Sequence, residues 1–107
     1  MAAIVRGKHD KFVRDLKEAL DAYEAQHAGA IAALYRQNNA SIRVRVIDRR
    51  FKGMPKSRRH GDVWKFLAAR VPEDTLSEVS VLLAVAPAEL GTSLMNLEFE
   101  DPTASRL

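Results

Sequence analysis

The chain has no cysteine. That excludes thiolate nucleophiles, disulfides and cysteine-held metal sites, and it agrees with a reducing compartment. Long apolar runs are missing as well. No stretch approaches the roughly 18–20 residues of a membrane span, and residues 2–5 are too few for the apolar centre of a signal peptide, so the expected location is the cytoplasm. The five glycines form neither a GxxxxGK nor a GxGxxG loop. His9, His27 and His60 are scattered without metal-ligand spacing. No carboxylate pair suits hydrolysis, since Asp48 sits beside Arg49 and Arg50 and the other acids read as caps or solvated surface. Internal repeats, linkers and low-complexity segments are also lacking. The expectation is a non-enzymatic protein without a cofactor and with no membrane contact.

What remains is a foldable chain. With 47% hydrophobic residues among 107, it can bury about 60–65% of its unfolded surface without disulfides. One domain, 1–107, is expected, with a core of about 9–97 and an acidic C-terminal tail, 98–107. The net charge of +3 is unevenly placed: residues 1–40 carry six Lys/Arg and five Asp/Glu, 41–70 carry ten and two, and 71–107 carry one and seven. The three segments are therefore +1, +8 and −6.

Apolar periodicity gives the elements. Phe12, Leu16, Ala19, Leu20 and Tyr23 fall at helical spacing, which predicts an amphipathic helix over 9–28 that stops at Gly29, with Arg14 reaching Glu18 four residues on. His27 near its end reads as surface. Residues 30–36 and 41–48 predict two antiparallel strands, and the turn at 37–40 relies on asparagines that tolerate positive φ. In the second strand, Ile42, Val44 and Val46 alternate with Arg43 and Arg45, so one face meets a core and the other water. Val63, Phe66, Leu67 and Val71 share a helical face, predicting a helix that starts with Ser57 as its cap and ends at Pro72. Residues 79–86 are almost continuously apolar, the pattern of a strand buried on both faces, placed parallel to the preceding one by a crossover. Pro87 opens a last helix with Leu90, Leu94 and Leu97 as its apolar stripe, and Phe99 is the one anchor of the tail.

The turn joining the second strand to the second helix is dense in positive charge. Arg49, Arg50, Lys52, Lys56, Arg58 and Arg59 occur without an intervening acid, and together with Arg43 and Arg45 they are the candidate nucleic-acid-binding residues. Three readings are open: a solvated face, a phosphate-binding surface, or a partner for the acidic tail. Phosphate contact leads, with nucleic acid as the implied partner. The alternative is a protein partner or a homodimer formed through the third strand. Ser57 and His60 are three apart, but a nucleophile needs an aligned base and a third group to orient that base; a cap and a packing histidine suffice. Trp64 reads as helix-sheet packing, and a base-stacking role requires its ring exposed beside the turn.

These residues resemble the BolA-like proteins. That family has a strand ending in Phe-x-Gly-x-Ser, then Arg-His, a valine three residues after the histidine and a leucine further along the helix. Phe51, Gly53, Arg59, His60, Val63 and Leu67 stand for them, Ser57 follows later than usual, and Pro87 with Glu89 matches a following Pro-x-Glu. The resemblance spans about residues 30–90. It implies an α+β fold related to the KH domain, αββαβα, with a three-stranded mixed sheet covered on one face by helices. It also implies a regulator that binds nucleic acid or shares an iron–sulfur cluster with a monothiol glutaredoxin. The KH loop is Gly-x-x-Gly, whereas Gly53-Met54-Pro55-Lys56 lacks the second glycine. Cluster sharing uses a histidine at the start of the third strand, where Glu78 stands, and a His or Cys in the hairpin loop, where Gln37, Asn38 and Asn39 stand. No cluster is therefore expected.

Overall fold

Asp10 opens the first helix, its carboxylate accepting a hydrogen bond from the Val13 amide at 3.1 Å. The computed structural model describes residues 1–102. In chain order it has β1 (Ala3–Arg6), α1 (Lys11–Gln26), β2 (Ile31–Asn38), β3 (Ser41–Ile47), α2 (Lys56–Ala68), α3 (Glu73–Leu76), β4 (Val79–Val85) and α4 (Leu94–Glu100). The sheet order is β1-β2-β3-β4. β1 runs parallel to β2, β2 antiparallel to β3, and β3 parallel to β4.

The α+β class is as expected, but the sheet has four strands among the described residues rather than three. The additional β1 holds only four residues, too few for a period to show, and it gains its place by pairing Ala3 with Ala33 and Ile4 with Leu34. Gly7 then turns the chain into α1 at φ +83°, with the Arg36 carbonyl so close that a Cβ would lie 2.8 Å from it. Arg36 ties this corner together: Asp10 and Glu78 both pair with its guanidinium, the latter at 3.1 Å.

One face of the sheet packs on α1 and α2. Val13, Leu16, Leu20, Leu34, Val44 and Leu67 are among its fully buried residues. At about 1.5–3 kcal/mol for each large aliphatic side chain, this layer is the main source of stability. Arg14 donates to the His9 carbonyl instead of reaching Glu18, and the pairs along α1 are Lys11 with Asp15 and Lys17 with Asp21. The hairpin turn also differs from expectation. Positive φ occurs only at glycines among the described residues, and Asn38 instead makes the turn with its side chain, Oδ1 accepting from the Ala40 amide at 2.9 Å and the Ser41 hydroxyl at 3.0 Å.

The opposite face is covered too, which corrects the one-sided sheet. Pro87 begins a 3-10 turn that ends at Glu89, and the last helix starts afresh after Ser93, whose hydroxyl accepts from the Asn96 amide. The stripe Leu94 and Leu97 points outward, 80% and 53% exposed. Asn96 and Phe99 point inward, and Phe99 packs with Ala33, Tyr35, Ile47, Leu83 and Val85. Sheet geometry decides this. Strands buried on both faces need a cover, and Phe99 supplies an aromatic anchor with its ring 4.9 Å from that of Tyr35. Residues 98–100 thus belong to α4 and not to a tail, and 103–107 lie outside the described residues. Among the described residues, no helix is long and apolar enough to cross a membrane.

Candidate nucleic-acid interface

The basic turn hangs from a buried carboxylate. Asp48 follows β3, and its Oδ1 accepts from the Arg50 amide at 2.9 Å, starting a 3-10 turn over Arg49–Phe51. Its Oδ2 accepts from the Tyr23 hydroxyl at 2.8 Å, which fastens the turn to α1. Burial pushes the Tyr23 phenol up to about 12, and the neighbouring Asp48 carboxylate acts in the same direction. Phe51 is fully buried below the turn. Gly53 reverses the chain at φ +79° with nothing near the position of a Cβ, so backbone conformation alone requires glycine there.

The candidate cations separate into three groups. Arg43 and Arg45 lie on the face covered by α4, where Arg43 pairs with Glu98 at 3.3 Å and Arg45 pairs with Glu100 and donates to Asn96 Oδ1 at 2.9 Å. Alternation placed their side chains on the second face correctly. Water was expected over that face, and a helix from the far end of the sequence occupies it instead.

Arg59 turns inward and is 5% exposed. Its guanidinium makes two bonds to the Glu89 carboxylate, at 2.6 and 2.9 Å, and its Nε donates to the Met54 carbonyl at 2.9 Å. Arg59 holds the Glu89 carboxyl down at about 2, assisted by the Ala86 amide. This arginine is a structural bolt between α2 and the segment after β4, not part of an exposed anion site. Sequence reasoning missed the role of Glu89, though Pro-x-Glu after an apolar strand marked its place. Arg50 is shared among Tyr23 Oη at 3.0 Å, Asp62 at 3.3 Å and Asp48 at 3.6 Å.

Arg49, Lys52, Lys56 and Arg58 form the third group. All four are exposed and none forms a salt bridge among the described residues, although the Lys56 charge also acts on the Glu89 carboxylate. Lys56 and Arg58 lie in the first turn of α2, which begins after Pro55 and has no side-chain cap, Lys52 precedes it in the turn, and the Arg49 guanidinium lies beside Gly29. Ser57 is exposed in that first turn and its hydroxyl caps nothing, contrary to expectation. The free amides of this turn and the positive end of a 13-residue helix add to the four side-chain charges.

Within the resemblance motif, Val63 is fully buried and His60 is exposed, stacked on Trp64 with ring centroids 5.8 Å apart. Trp64 is half-buried against the main core. Among the described residues no cluster of three or more His, Asp or Glu is placed to hold a metal ion. Glu78 instead faces Arg36, and His27 stacks on Tyr23 at 4.0 Å. No protein-family model, curated protein or solved structure matches this chain.

Proposed function

We propose that this chain is a non-enzymatic, BolA-like binding domain of the cytoplasm that holds nucleic-acid phosphates on the turn around Arg49, Lys52, Lys56 and Arg58. One observation carries the reading: four exposed cations that form no salt bridge among the described residues fall within the ten residues of the turn leading into an uncapped helix start. With β1 added before it and the short α3 inserted between α2 and β4, the order α1-β2-β3-α2-β4-α4 agrees with the αββαβα succession that the resemblance implies. The mechanism is point-charge contact with the backbone, because the turn has neither the second glycine of a KH loop nor an Asn or Gln to read a base edge.

Titration with single- and double-stranded oligonucleotides at low salt tests it. Four phosphate contacts give a slope of log affinity against log salt of about −2.8 to −3.6, with little dependence on base sequence. The double variant R49E/K52E lowers affinity and flattens the slope, and absence of binding at low salt overturns the reading.

A second reading, protein contact through β4, is favoured by the strand's place at the edge of the sheet, where it pairs only with β3. Either a second copy or another protein would add to that edge. Light scattering at about 100 µM, well above the dissociation constant of a weak dimer, separates them: twice the chain mass indicates a homodimer and a single mass excludes it.

A further inference from the structure

In a parallel ladder successive residues direct their backbone groups to alternate sides. Val85 turns its carbonyl toward β3, where the Asp48 amide donates to it at 3.0 Å. Leu82 and Ala84 therefore direct their N–H and C=O groups to the open side. The downstream end of that edge is already closed. Arg59 Nη1 approaches the Ala84 carbonyl at 3.4 Å, and Glu89 Oε1 accepts from the Ala86 amide at 2.9 Å. The Leu82 N–H and C=O and the Ala84 N–H remain for a strand to meet.

These groups lie on the floor of a groove of about 730 Å³, within the roughly 300–1,000 Å³ of ordinary ligand sites. Lys56 and His60 from the first turns of α2 form one wall, and Leu94 and Met95 form the other. Leu94 and Met95 are largely exposed, which leaves an apolar wall with nothing packed on it. The one acid in the lining, Glu89, is engaged by Arg59, so the groove is net positive. No Phe, Tyr or Trp lines it to stack a base.

We propose that this groove takes an extended acidic peptide segment, which adds a strand to β4 at Leu82 and Ala84, sets aliphatic side chains against Leu94 and Met95, and places a carboxylate beside Lys56 and His60. The proposal rests on the second reading above, protein contact through β4, and shares only Lys56 with the phosphate site. Main-chain bonds supply affinity in such strand addition, and the walls supply selectivity.

The test uses the isotope-labelled full chain and synthetic peptides of about eight residues that alternate valine and threonine. Two versions carry a pair of aspartates at one end or the other, one carries two lysines, and one acidic version is N-methylated at alternate residues. The acidic peptide is expected to shift the Leu82 and Ala84 amide resonances, while the N-methylated and lysine versions do not. K56E weakens acidic-peptide binding about fivefold, the worth of one exposed ion pair at ~1 kcal/mol, whereas R49E/K52E leaves it unchanged and lowers only oligonucleotide affinity. No shift at Leu82 and Ala84 with ~1 mM acidic peptide overturns the proposal. Equal binding of the N-methylated or lysine peptide also overturns it, as does displacement of the acidic peptide by an oligonucleotide bound in the groove. A doubled mass with the two amides already protected from exchange assigns the edge to a second copy and overturns the peptide alone, leaving the protein-contact reading standing.

Discussion

Arg59 stands in the middle of the basic run, yet its charge is spent inside the protein on Glu89. Breaking a buried pair by removing one partner costs about 3–5 kcal/mol. R59A is expected to cost less, about 2–3 kcal/mol by urea unfolding, because the stranded Glu89 carboxylate can take up water. The pair also sets a pH dependence. Glu89 titrates near 2 in the folded state against 4.5 ordinarily. Its contribution is therefore complete above about 4.5 and disappears as pH falls toward 2. Unfolding midpoints measured from pH 6 to 2 should fall across that window, and E89Q should flatten the curve. Tyr23 acts in the opposite sense. Its phenol stays protonated to about 12, so the stability it confers is complete below its ordinary value of 10.0 and is lost as pH rises through 12. Y23F removes a donor to the buried Asp48, and about 1–2 kcal/mol of stability should be lost with it.

Among the elements, α4 has the largest effect on the surface charge. Phe99 holds it on the sheet, and F99A is expected to cost about 3 kcal/mol in thermal or chemical unfolding. Glu98 and Glu100 meanwhile occupy Arg43 and Arg45. The E98Q/E100Q double variant keeps Phe99 and leaves two guanidinium groups uncompensated. If phosphate binding is correct and these groups join it, the salt slope for oligonucleotide binding steepens by about 1.4–1.8; an unchanged slope means that α4 still covers them. The turn at 49–59 responds differently, since its free charges do not depend on α4. R49E/K52E should change binding and leave the unfolding free energy within about 0.5 kcal/mol of the parent, the ordinary range for exposed positions.

For the whole molecule, charge segregation along the sequence becomes partial neutralisation in space. The acidic C-terminal segment folds over the arginines of β3, while Lys56 and Arg58 at the start of α2 form no salt bridge among the described residues. The same overall view bears on the cluster function that the resemblance implies. Glu78, at the position where that family has a histidine, spends its carboxylate on Arg36 at 3.1 Å, and carboxylate oxygen is a poor match for soft iron–sulfur sites. Mixing with a monothiol glutaredoxin under reconstitution conditions should give no stable coloured complex, read by visible absorption and iron analysis. A coloured heterocomplex would refute this. E78H supplies an imidazole, which can replace thiolate on iron, and should restore colour if the position alone is limiting.

The sequence by itself determined the α+β class, the hairpin, the parallel return of β4 and the buried face of α1, because each rests on a local period of apolar residues or on a short connection that leaves one pairing direction. It also located the basic turn, since charge is written directly in the chain. Tertiary structure decided which of those charges are free. Arg59 and Lys56 look alike in sequence, and only the position of Glu89, thirty residues beyond Arg59, turns one inward while the other stays in solvent. The strand β1 and the outward stripe of α4 were likewise settled by pairing and covering partners remote in sequence. A four-residue strand carries too little period to announce itself, and a helix buries whichever side meets the exposed face of the sheet, here the side carrying Asn96 and Phe99.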